Sequence, residues 1–198
     1  MSKTPSGLRI ALYGGSFDPP HIAHLEVIYQ VLKHLDIDQL IVLVAYQNPF
    51  KDAPCFSATQ RYTWMQELLR GLAKVEVSDF EIRAQRPVPS VESVLHFYRT
   101  LQPSELYFVI GADNLAHLDQ WEGYTTMQEY AQFVVVQREG YMLKPCASSL
   151  YMPLPQIREC ISSSQIKALL AQHQIPSHIP AALQGGVIQA FKETHVRS

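Results

Sequence analysis

Cysteine is scarce in this chain of 198 residues, and Cys55, Cys146 and Cys160 form no C-x-x-C pair. An odd, scattered set excludes a disulfide frame or a zinc site, so all three are expected to be reduced packing or surface residues. Long apolar runs are also lacking, and none approaches the roughly 20 residues of a membrane span. The start, Met1-Ser2-Lys3-Thr4-Pro5-Ser6-Gly7, lacks the charge, apolar core and cleavage site of a signal peptide. The chain is therefore expected to be soluble and cytoplasmic. An excess of charge is missing too: 16 Lys and Arg against 18 Asp and Glu leave a net charge of -2, with the basic residues scattered. This speaks against a broad nucleic-acid footprint and leaves room for a small anionic ligand, which needs only local charge. No repeat or low-complexity segment interrupts the chain.

What the chain does have is apolar residues, 47% of the total, enough for one domain over residues 1–198 with a sizeable core. Strand candidates are 8–13, 39–45, 75–78, 105–111, 132–137 and 149–152. Helix candidates are 21–35, 57–72, 91–101, 125–131, 163–173 and 180–193. The runs Ile41-Val42-Leu43-Val44, Tyr107-Phe108-Val109-Ile110 and Phe133-Val134-Val135-Val136 are continuous, not alternating, as in strands buried on both faces. The α/β alternation predicts a doubly wound parallel sheet, with ligands beyond the carboxyl ends of its strands. A proline-rich stretch, 145–155, leads into a small helical C-terminal part.

The segment that speaks about chemistry follows the first strand: Gly14-Gly15-Ser16-Phe17-Asp18-Pro19-Pro20-His21-Ile22-Ala23-His24. It reads as a glycine turn and a helix start, with Asp18 as N-cap and Pro19 at the first helical position. Bare N–H groups and the helix N-terminus suit a phosphate. His21 and His24, three apart, share a helix face and can reach one anion as charged imidazoles. Two histidines at this spacing, taken alone, suit a solvent-facing pair or a metal site, although no third ligand is evident. The glycines, aspartate and prolines around them favour a phosphate.

A second segment, Ile161-Ser162-Ser163-Ser164-Gln165-Ile166-Lys167, has the Ser162–Gln165 spacing of a capping box. Its hydroxyls and lysine can also grip a phosphate. Between the two, Lys51 is either a phosphate partner or a solvated loop lysine. Asp113 in Gly111-Ala112-Asp113-Asn114 is placed to accept from ribose hydroxyls or to cap the next helix. Trp121 reads as core packing and Arg138 as an exposed strand end.

The first segment resembles the G-G-x-F-D-P-x-H-x-G-H signature of the nucleotidyltransferase superfamily, in particular its bacterial nicotinate-mononucleotide adenylyltransferases. The second resembles that family's I-S-S-T-x-I-R, with Ser164 for threonine and Lys167 for arginine. Gly111-Ala112-Asp113, with Trp121 eight residues on, matches a third element. Pro87-Val88-Pro89-Ser90-Val91-Glu92-Ser93-Val94 aligns with P-S-Y-T-x-x-T-L, and Arg138-Glu139-Gly140 with R-x-G. The resemblance implies a Rossmann-like fold and adenylyl transfer from ATP to nicotinate mononucleotide, within NAD biosynthesis.

It also implies site residues. Gly14, Gly15, Ser16, Phe17, His21, His24, Gly111, Asp113, Ser162, Ser163, Ser164 and Lys167 would meet ATP. Asn48, Ser90, Trp121 and Arg138 would meet the mononucleotide. His21, His24, Lys51 and Lys167 would supply the catalytic positive charge, and Mg²⁺ would come with ATP, with no protein metal site. Ala23 stands where the family usually has glycine, and its methyl is expected to crowd the adenine. Nicotinamide mononucleotide or phosphopantetheine as acceptor, or a nucleotide sensor without catalysis, are the alternatives. Partners are small molecules, and a homo-oligomer is left open.

Overall fold

A computed structural model describes residues 7–48, 53–137, 151–154 and 161–196. Six parallel strands form one sheet: β1 (Arg9–Gly15), β2 (Gln39–Val44), β3 (Val75–Ser78), β4 (Glu105–Gly111), β5 (Gln132–Val136) and β6 (Tyr151–Leu154). Their order is β3-β2-β1-β4-β5-β6, the doubly wound arrangement expected from the alternating pattern.

The continuous apolar runs explain why both faces are covered. Ala11, Tyr13, Val42, Val44, Val109 and Val134 point to one side, where they pack on α1 (Ile22–His34) and α2 (Ala58–Leu69) through Val27, Ile28, Val31 and Met65. Ile10, Leu12, Ile41, Leu43, Phe108 and Phe133 point to the other, onto α4 (Ser90–Leu101) and α5 (Tyr124–Tyr130). Each such side chain taken out of water contributes about 1.5–3 kcal/mol before entropy is counted.

Two elements fall outside the sequence expectation, α3 (Phe80–Arg83) and a 3-10 helix (Ala112–Gln120), both too short or too polar to show a period. The described part of the last strand, Tyr151–Leu154, overlaps the expected 149–152. No described helix is long and apolar enough to cross a membrane.

The C-terminal part consists of α6 (Ser163–Ala171) and α7 (Ala181–Val196). It packs through Ile166, Leu170, Leu183, Val187 and Phe191 against Phe56 and Trp64, at the start and middle of α2. That apolar docking carries the first turn of α6 to the end of β1.

Candidate active site

The chain order reverses at β1, which lies between β2 and β4, and a crevice opens beyond such a point. Gly14 and Gly15 are not a turn, as expected, but the last residues of β1, opposite Leu43 and Val44 of β2. Ladder pairing carries them one step further than propensity allows. A Cβ on Gly14 would meet nothing within 4 Å, so its backbone lies open. A Cβ on Gly15 would lie 2.8 Å from the Phe17 ring, which folds back over it with φ of 50°. Glycine at 15 is required by that close approach.

The N-cap of α1 is His21, not Asp18. His24 Nδ1 accepts the His21 backbone N–H at 3.2 Å, and the two imidazoles stack with centroids 3.6 Å apart. Phe17 meets His24 edge-on at 4.8 Å. Ala23 is wholly buried within the core cluster.

Asp18 has a different task from capping. Its buried carboxylate accepts the N–H groups of Cys55 and Phe56 at 3.1 and 2.9 Å, and pairs with Lys167 Nζ at 2.8 Å. Burial raises the Cys55 thiol above its ordinary value, and the Asp18 charge adds to that. Nearby, the Ser163 hydroxyl donates to the Pro19 carbonyl at 3.1 Å and the Ile22 N–H to His178 O at 3.0 Å. The two motif segments therefore meet, although Asp18 and Lys167 are 149 residues apart. The expected capping box is present: Ser162 Oγ accepts the Gln165 N–H at 3.2 Å, and Gln165 Oε1 accepts the Ser162 N–H at 2.8 Å. Ser164 is exposed beside it.

Arg61 escaped the sequence reading. It is fully buried, and burial lowers its guanidinium value while Asp18 opposes that. Its spacing from Trp64 and Met65 put it on the apolar face of α2, a signal that the sequence did carry. Glu81 escaped as well. Burial raises its carboxyl value, eased by a 2.9 Å bond from the wholly buried Ser93 hydroxyl.

On the far side of the crevice, Gly111 ends β4 and Asp113 sits in the first turn of the 3-10 helix. Trp121, partly buried, meets Phe108 edge-on at 6.3 Å. Asn48 follows β2 and Ser90 opens α4, both half-buried. Lys51 and Arg138 lie outside the described residues, as do Cys146 and Cys160. A groove lined by Glu105, Tyr107, Tyr130 and Gln132 lies at the amino ends of β4 and β5 and holds none of these groups.

The sequence profile of the cytidylyltransferase-like family matches residues 12–169. A probable nicotinate-nucleotide adenylyltransferase of Helicobacter pylori strain J99 is 49% identical over 162 residues, covering 81% of this chain and 92% of the relative. A probable nicotinate-nucleotide adenylyltransferase of Campylobacter fetus is 37% identical over 96% of this chain and all of its own length. The fold is similar to that of Plasmodium falciparum nicotinic acid mononucleotide adenylyltransferase complexed with NaAD. The TM-score is 0.73 at 16% identity, over 96% of this chain and 97% of that one.

Proposed function

This chain belongs to the cytidylyltransferase-like family, and on that premise we propose that it transfers the adenylyl group of ATP to nicotinate mononucleotide. A phosphate oxygen of the mononucleotide forms a bond to the α-phosphorus. The bond from that phosphorus to the bridging oxygen breaks, and its electron pair leaves with pyrophosphate. The products are nicotinate adenine dinucleotide and pyrophosphate. The attacking group is already an anion at neutral pH, so no protein base is needed. What remains is to align two anions and offset the charge that develops between them.

The observation that carries this reading is the contact between the two motif segments through Asp18 and Lys167 at the end of β1. Gly14, Gly15, Ser16 and Phe17, with Ser162, Ser163 and Ser164, line the polyphosphate. His24 donates from Nε2, His21 stacks behind it, and Lys167 supplies charge from its place beside Asp18. Lys51 adds a second cation. Gly111 and Asp113 meet the ATP ribose, while Asn48, Ser90, Trp121 and Arg138 receive the mononucleotide. Mg²⁺ enters with ATP as part of that substrate. Among the described residues no group of three His, Cys, Asp or Glu side chains could hold a metal, and Asp18 is engaged elsewhere. That donor set fits a cation carried by phosphates and water. We infer that the enzyme works in the cytoplasm as one domain.

The test is pyrophosphate release from ATP with nicotinate mononucleotide, nicotinamide mononucleotide or phosphopantetheine as acceptor. The first is expected to turn over fastest. Faster turnover of either other acceptor reassigns the substrate, and ATP binding without pyrophosphate release from any acceptor makes the protein a sensor.

A further inference from the structure

Arg61 heads the fully buried side chains in size among the described residues, and every hydrogen bond of its guanidinium ends on a backbone carbonyl. Nε donates to Phe56 O at 3.0 Å, Nη1 to Ser16 O at 2.5 Å and Ala45 O at 2.7 Å, and Nη2 to Tyr46 O at 2.8 Å. These carbonyls come from three places: the loop after β1, the loop after β2, and the entry to α2. Burying a guanidinium is costly, and an apolar side chain of similar volume would avoid that cost but leave four carbonyls without a donor. The fork does something that an apolar side chain cannot, because it ties three separate segments to one rigid plane.

Each tie also sets a direction. In a planar trans peptide the N–H points opposite to the C=O. Holding the carbonyls of Ser16, Ala45 and Tyr46 therefore turns the N–H groups of Phe17, Tyr46 and Gln47 away from the guanidinium. The effect reaches the histidines as well. The Ser16 carbonyl fixes the peptide that leads into Phe17, and the Phe17 ring borders His24 at 4.8 Å. Asp18, one residue further, holds the entry to α2 from the other side through Cys55 and Phe56.

We propose that Arg61 is a positioning residue for adenylyl transfer: its guanidinium orients the loops after β1 and β2, and through Phe17 the imidazole of His24. The proposal rests on the phosphate reading of these loops. The closing experiment therefore has one readout that needs turnover and one that does not.

Arg61→Met fills the same space without donors, and Arg61→Lys keeps the charge but not the fork. Both variants are expected to fold. In Arg61→Met, kcat for nicotinate mononucleotide should fall about a hundredfold, with KM changed by less than about threefold. Arg61→Lys should fall in between. Amide hydrogen exchange should accelerate at Ala45, Cys55 and Phe56, whose N–H groups are bonded to Gly15 O and to Asp18, while strands β1, β2 and β4 keep their protection. A wild-type protein without turnover would count against the proposed reaction alone, because the exchange pattern still reads the role of Arg61. Wild-type kcat in folded Arg61→Met overturns the proposal, and so does exchange that rises evenly through the sheet. Failure of both variants to fold also overturns it, since Arg61 would then serve the fold only.

Discussion

Around the loop after β1, the holding is done by buried charge. Asp18 grips two N–H groups and Lys167, and Arg61 grips four carbonyls, from sequence separations of up to 149 residues. Across the switch point, rings and branched side chains do the same work. Phe108 meets Trp121 at 6.3 Å and Phe133 at 5.8 Å, Tyr124 meets Phe133 at 5.4 Å, and Val91 covers Gly123. Hydrogen bonds to charged groups fix direction, whereas apolar packing fixes shape and tolerates small rotations. The first half is built to hold atoms at set angles, as the proposed polyphosphate would require. The second is built as a shaped wall, as the proposed flat ring would require.

The contrast can be broken at its strongest point first. Asp18→Ala leaves Lys167 and two N–H groups without their acceptor and should cost about 3 kcal/mol of stability, read from the urea midpoint. A cost below that of any ring-side change would remove the distinction. Next, His24→Ala should lower kcat roughly a hundredfold, about 2.7 kcal/mol, with little change in mononucleotide KM. An unchanged kcat in steady-state assays would take His24 out of the reaction.

On the ring side, Gly123 has φ of 68°, and a Cβ there would lie 2.7 Å from Val91 Cγ2. Gly123→Ala should cost about 2 kcal/mol in thermal or urea unfolding while kcat per folded molecule stays close to wild type. A large loss of kcat would mean that this half also depends on direction.

The smallest expected effect concerns Glu81. Burial holds its carboxyl above the ordinary range, so the folded state favours the protonated form. The stability this lends is fully present in acid, below the unfolded value, and is lost as pH rises through the raised folded value. Wild type should therefore weaken relative to Glu81→Gln as pH rises through the range above about 4, the ordinary carboxyl value. Urea midpoints that differ by a constant amount across that range would contradict it.

Much of this was legible in the chain because it is local. The runs Ile41–Val44 and Phe133–Val136 announce strands covered on both faces, and Ser162 with Gln165 announces the start of α6, since each signal lies within a few residues. The first loop was legible as the link from β1 into α1 but misread in its parts. Gly14 and Gly15 extend β1 because β2 offers partners, and His21 displaces Asp18 as cap because Asp18 is drawn to Phe56 and Lys167. Arg61 and Glu81 went unremarked, although Arg61 shares the apolar face of α2 with Trp64 and Met65, and α3 is too short to show a period.

The sequence by itself determined the strands, most of the helices and the capping box of α6. Periodicity and capping depend on neighbours along the chain. Only the tertiary structure decided which charged group answers which. A buried carboxylate or guanidinium takes partners from whatever segments the packed sheet brings within about 3 Å. Those partners lie tens of residues away, beyond any local pattern.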